Sequence, residues 1–152
     1  MTSACFGPPR EGGGAGPAAS ADPTQTVTAA DFAFCLSETN RYRALAGVSP
    51  VEHDPAVEVY AQTAAAADHA TGRAHGYTSG PDRPTGAFAE NEAVRWGVTD
   101  AVRDVVAAAI AAFWREGPGG GHYENLRGPW GRVGCGIVAA DGAVTLVQHF
   151  RP

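Results

Sequence analysis

Asp141-Gly142 stands between two runs, Val133 to Ala140 and Ala143 to Phe150, that alternate in the manner of strands. A two-residue hairpin turn needs positive φ angles, which Asp-Gly adopts at low cost, so the pair predicts an antiparallel hairpin at the end of the sequence. A hairpin cannot bury its apolar face alone. The best cover is the stretch in which Val102, Val105, Val106, Ala109, Ile110 and Phe113 recur at i, i+3, i+4, i+7, i+8 and i+11. That spacing predicts an amphipathic helix, with Thr99 as its cap and Glu116 just past Phe113 at the edge of its buried face.

Two further helices precede it. Thr28 with Asp31 reads as a helix start, and Phe32, Cys35, Leu36, Thr39 and Tyr42 follow at helical spacing until Gly47. Asp54-Pro55 is a second start, because aspartate accepts orphan amide hydrogens and proline has none to lose. Val57, Tyr60, Ala61, Ala64 and Ala65 give that helix a slim face suited to close packing, and Gly72 ends it. Between Gly72 and Ala89 the density of Gly, Pro, Thr and Ser predicts a long loop carrying His75. Glu90 to Trp96 reads equally as a short strand or a turn. Helices around strands from the middle and end of the sequence predict an α+β layered domain with a small antiparallel sheet. Residues 1–26, rich in glycine and proline, read as a flexible tail, leaving 27–152 as one domain.

The formal charge of -5 combines 16 acids with 11 bases, all arginine, and no basic cluster argues for nucleic acid or a membrane surface. The expected partner is a small molecule; the oligomeric state is left open. No apolar run approaches a membrane span, and no basic segment followed by an apolar one opens the sequence, so the expected compartment is the cytoplasm. Three cysteines, Cys5, Cys35 and Cys135, form an odd and sparse set. Free thiols are the expectation, with a single Cys35–Cys135 bridge as the alternative.

The richest chemistry lies between Phe113 and Gly136, where Glu116 closes the helix, a glycine-rich turn follows and His122 heads a short polar segment. Here five fragments, in order, resemble the CAP superfamily, the cysteine-rich secretory, antigen 5 and pathogenesis-related proteins, also called the SCP domain, in its bacterial form. Thr39-Asn40-Arg41-Tyr42-Arg43 is similar to an opening His-Asn-x-x-Arg with threonine in place of histidine, and Gly47 to Asp54 is similar to Gly-x-x-Pro-Leu-x-Trp-Asp with histidine in place of tryptophan. Ala89-Glu90-Asn91 resembles Gly-Glu-Asn, Phe113-Trp114-Arg115-Glu116 resembles Trp-x-x-Glu, and Gly121-His122-Tyr123-Glu124-Asn125-Leu126 resembles Gly-His-x-x-Asn-Leu. The resemblance implies a three-layer α-β-α sandwich whose cleft holds two histidines and two acids. By motif position these are His75, Glu90, Glu116 and His122, with His69 competing for the place of His75.

Two imidazoles and two carboxylates permit acid/base catalysis, in which a carboxylate holds an imidazole near neutral pKa. They also suit zinc, with His75 and His122 as ligands, although no His-x-x-x-His spacing supports a zinc-dependent hydrolase. A merely structural polar network is the third option. The expectation is therefore a catalyst needing no cofactor that acts on a small metabolite, for instance a condensation or Pictet–Spengler-type cyclisation in secondary metabolism. The alternative is a non-catalytic module that holds a lipid, sterol, peptide or divalent metal. Tyr123, Asn125 and Trp114 are the expected substrate contacts. Cys135 reads as a small buried residue, and His53 and His149 as structural or exposed.

Overall fold

The computed structural model describes residues 26–98 and 101–152, so the predicted tail and Cys5, like the expected cap Thr99, lie outside the described residues. The elements run α1 (Ala29–Leu45), β1 (Glu52–His53), α2 (Pro55–Thr71), β2 (Ala89–Gly97), α3 (Val102–Arg115), α4 (Gly121–Arg127), β3 (Arg132–Ala140) and β4 (Ala143–Arg151). The strands form one sheet in the order β1-β3-β4-β2, with helices on both faces. This is the expected α-β-α sandwich, with one addition: the two-residue β1 pairs parallel to β3, while the other pairings are antiparallel.

Local chemistry accounts for most element ends. Asp141 and Gly142 both take positive φ, 52° and 71°, and Ala140 pairs with Ala143, which is the predicted two-residue turn. The Asp54 carboxylate accepts from the amides of Ala56 and Val57, Pro55 opens α2, and Gly72 closes it in the left-handed conformation at φ 68°. Asp31 accepts from both the amide and the hydroxyl of Thr28 at 2.8 and 2.9 Å. The first residue of α3 is Val102, capped at Ala101, whose amide is taken by Asp104. The stretch from Glu90 resolves as a nine-residue strand, Ala89–Gly97.

α2 lies alone on one face of the sheet and comes very close to it. A Cβ at Gly134 would fall on the backbone of Glu58, and one at Gly136 on that of Ala61. Glycine on β3 and alanine on α2 together permit this approach, and Ala61, Ala64 and Ala65 are fully buried there. On the opposite face α1, α3 and α4 cover Val133, Ile137, Leu146 and Phe150, with the predicted α3 residues inside. Each such buried aliphatic or aromatic side chain contributes roughly 1.5–3 kcal/mol.

α1 keeps its predicted face and adds two charged residues to it. Cys35, Thr39 and Tyr42 are buried and Phe32 and Leu36 pack half-buried against the core, with Asp31 and Arg43 buried beside them. Two long-range links hold the helix there. Cys35 forms a disulfide with Cys135 on β3, one hundred residues away, which overturns the expectation of free thiols at these positions. Arg43, 1% exposed, sends its guanidinium into four carbonyls, those of Ser49, Leu126, Gly128 and Trp130.

Candidate functional site

Glu116 caps the C-terminus of α3, and the chain then doubles back so tightly at Gly120 that a Cβ there would collide with the Glu116 side chain. His122, in the first turn of α4, thereby returns to Glu116. Its amide donates to Oε2 at 2.9 Å, and its Nδ1 lies 2.6 Å from Oε1. The imidazole holds the Glu116 carboxyl below its usual range. Glu116 is thus ionised at neutral pH, and Nδ1 carries the hydrogen. The ring of His122 packs against Phe113, 4.6 Å between centroids.

A second pair forms at β2. His75, in the left-handed region at φ 56°, places Nδ1 2.9 Å from Glu90 Oε1 while its amide donates to Glu92. Positive φ is uncommon outside glycine and costs of order 1–3 kcal/mol, so the surrounding contacts hold this residue in place. Burial pushes the Glu90 carboxyl up, but hydrogen bonds from His149, His75 and Thr78 outweigh it and hold the group at about 2. The bond to Glu90 raises the pKa of His75 against the opposing effect of burial.

The two histidine rings stack at a centroid separation of 6.2 Å and an interplanar angle of 26°. Each spends its Nδ1 on a glutamate. Neither Nε2 has a hydrogen-bond partner among the described residues, a pattern shared by catalytic His–carboxylate pairs and by metal-binding histidines oriented by a carboxylate, although of the two rings only that of His75 lines a cavity. His75, Glu90, Glu116 and His122 therefore share one region. His69, the competitor, sits on α2 and bonds Thr145 at 2.8 Å instead.

A chain of buried amides ties this region to the core. Asn125 donates to the Glu90 carbonyl and to Asn91 Oδ1. Asn91 donates to the His122 carbonyl and to Gln148, and Gln148 donates to Thr39 on α1 at 2.6 Å. Of the three expected substrate contacts, only Asn125 lines the cavity of about 460 Å³ that opens beside His75 and Glu90. Trp114 and Tyr123 stack on each other at 4.8 Å, and Trp114 also packs on Tyr42 at 5.4 Å, so the pair belongs to the packing between α1, α3 and α4.

Three participants escaped the sequence reading. His149, read as structural or exposed, is 2% exposed and has Nδ1 3.3 Å from Glu90 Oε2. Thr78 donates to that same oxygen at 2.5 Å. Glu92 is buried beneath His75; burial, with the nearby charges of Asp68 and Glu90 adding, pushes its carboxyl up to about 8. The alternation along β2 could have found Glu92, because residues two apart share a face, whereas His149 reaches Glu90 only through the β2–β4 register that the fold sets. One nitrogen of His75 and one oxygen each from Glu90 and Glu92 lie within 4.8 Å of one another, a donor set that suits a divalent cation as well as a proton. The expected pair of zinc ligands, His75 and His122, offers instead two ring nitrogens across the stack.

Among the described residues, no helix is long and apolar enough to cross a membrane. The overall fold is similar to that of an outer surface protein from Borrelia burgdorferi, with a TM-score of 0.65 at 17% identity over 84% of this chain and 96% of that one. Na-ASP-1 matches with a TM-score of 0.61 at 16% identity over 82% of this chain, which spans only 39% of Na-ASP-1. The hookworm platelet inhibitor matches at 0.60 and 15% identity, over 85% of this chain and 72% of that one. Comparison with curated sequences returns no match. The profile of the CAP family, described as the cysteine-rich secretory protein family, matches residues 36–150, a span that includes all four cleft residues and Cys135 and begins one residue after Cys35. With the sandwich, the sheet order and the paired His and Glu residues in place, that match establishes that this chain belongs to the CAP family.

Proposed function

We propose that the cleft is an acid/base catalytic site acting on a small metabolite. The observation that carries this reading is the stacking of two His–Glu pairs, each with Nδ1 committed to a carboxylate, beside a cavity that His75 and Glu90 line. Such a pair takes a proton at Nε2 while the carboxylate stabilises the imidazolium, a contribution of about a hundredfold to ten-thousandfold in rate. Two of them serve a reaction that both removes and returns a proton. Condensation or ring closure of the Pictet–Spengler kind is one such reaction, since imine formation and loss of a ring proton each need a transfer. The Cys35–Cys135 disulfide favours an oxidising compartment over the cytoplasm as the place of work.

The test is turnover of aromatic amine and aldehyde pairs, followed by mass spectrometry of the products. His122→Ala is expected to lower the rate at least a hundredfold while the protein stays folded. Full activity in that variant, or no turnover of any pair by the unaltered protein, counts against catalysis.

A second reading, binding of a divalent cation, is favoured by the convergence of His75, Glu90 and Glu92. A bound zinc would supply a Lewis acid in the cleft, and the glutamates would orient the histidine rings. Native mass spectrometry of freshly purified protein separates the two readings, because metal retention that a chelator and His75→Ala both abolish supports the second.

A further inference from the structure

The loop between α2 and β2 is held more firmly than its composition suggests. Tyr60 Oη donates to the Asp82 carbonyl at 3.3 Å, and the Arg151 guanidinium donates to the carbonyls of Thr85 and Ala87 at 2.8 and 3.2 Å. The pins fall on either side of Arg83. Its own side chain forms no ion pair with any carboxylate among the described residues. It reaches over the ring of Phe88, 5.2 Å from the centroid, and Phe88 in turn stacks on His149 at 5.3 Å. Arg83, Ser79 and Phe88 line the same cavity of about 460 Å³ that contains His75 and Glu90. A cation whose side chain forms no ion pair or hydrogen bond among the described residues is thus presented on a pinned loop that lines the same cavity as the histidine.

Resting on the acid/base reading of that cleft, we propose that Arg83 is the specificity-determining residue of the site and binds a carboxylate of the substrate, so that the cleft takes a small aromatic or otherwise flat organic acid. The planar guanidinium matches a carboxylate with two parallel N–H bonds. A single cation matches a single negative charge. The Glu90 carboxylate, which lines the same cavity, disfavours a dianion such as a phosphate monoester. Phe88, held between Arg83 and His149, gives the cavity wall an apolar contact, and Ser79 supplies a hydroxyl to the same cavity. An acid seated in this way directs its other end toward the Nε2 of His75. The cavity volume is in the range of small-molecule sites, roughly 300–1,000 Å³.

The experiment uses phenylacetate as probe, phenylacetamide as its neutral counterpart and phenyl phosphate as the dianion, with binding followed by backbone and arginine side-chain NMR shifts of the full chain. Phenylacetate is expected to shift Arg83, Ser79 and Phe88 and to bind about tenfold or more tightly than either analogue. Arg83→Gln is expected to erase that preference, and Arg73→Gln, a change to an exposed arginine on the same loop, to keep it. An unaltered protein that binds acid and amide equally, one that prefers the phosphate, or an Arg83→Gln variant that keeps the preference overturns the proposal. Failure of the catalytic reading shows separately: it leaves acid binding intact and appears as full turnover in His122→Ala or as no turnover by the unaltered protein.

Discussion

Arg43 and Glu92 are both ionisable side chains buried in the same domain, and they are treated in opposite ways. The Arg43 guanidinium, on the α1 side, meets four backbone carbonyls and lacks only a counter-ion, so that burial lowers its pKa. Glu92, at the β2 edge, has one oxygen on the His75 amide, and among the described residues no amide, hydroxyl or cation meets the other. Beside it Asp68 likewise has one oxygen that none of these donors meets; burial raises both carboxyls, and the proton this keeps on Glu92 joins the two in a hydrogen bond. Buried polar groups are nearly always satisfied, and an orphan costs about 1–3 kcal/mol. The α1 side is therefore built for permanence, with the disulfide and the arginine clamp joining segments far apart in sequence. The β2 edge carries two carboxyls joined through a titratable proton directly under the histidine, together with a left-handed His75 backbone, and such concentrations of strain and displaced pKa accompany functional sites.

Replacing Arg43 gives the sharpest test of this contrast. Arg43→Leu strands four carbonyls and should cost more than about 3 kcal/mol in urea denaturation, or prevent folding; a loss below about 1 kcal/mol would remove the distinction between the two regions. Next in size is the disulfide. Its loss through Cys35→Ser with Cys135→Ser should cost roughly 2–5 kcal/mol by the same measurement, because the bridge restrains a long loop in the unfolded chain. Thiol titration of unfolded, unreduced protein should leave Cys35 and Cys135 unreactive, and reaction of all three cysteines would break that side of the comparison.

The smallest effect belongs to the β2 edge and is read from its pH dependence. The Glu92 carboxyl sits at about 8 in the folded protein against a usual 4.5, so within that window the folded state holds a proton that the unfolded state has released. Stability from this group is therefore lost as pH rises between those values, with the effect spread over the hydrogen-bonded Asp68–Glu92 pair. Asp68, raised by burial, and His75, raised by its bond to Glu90, lose stability with rising pH in the same sense. Glu90, held low by its donors, acts in the opposite sense: its contribution is present above the usual carboxylate range and is lost as pH falls toward about 2. Glu92→Gln should flatten the slope above pH 5 without abolishing it. An unchanged slope in thermal melts from pH 5 to 8 would show that Glu92 is as well satisfied as Arg43.

The Asp141-Gly142 turn, the Asp54-Pro55 start, the Gly72 stop and the buried face of α3 were all legible in the sequence. Each depends on φ preferences, missing amide hydrogens or side-chain spacing within a few residues, and such terms act in any context. The pairing of Glu116 with His122 was nearly so, since only six positions separate them and the glycine-rich turn has one compact way to close. Only the tertiary structure decided the rest. Arg43 is buried because carbonyls more than eighty residues away accept its hydrogens, and Cys35 is oxidised because β3 brings Cys135 against α1. Glu90 gains His149 because β2 and β4 adopt one register out of several that alternation alone permits. Burying a polar group is costly unless a partner meets it, and when that partner is distant in sequence the decision between surface and core, and between ordinary and displaced pKa, belongs to the fold.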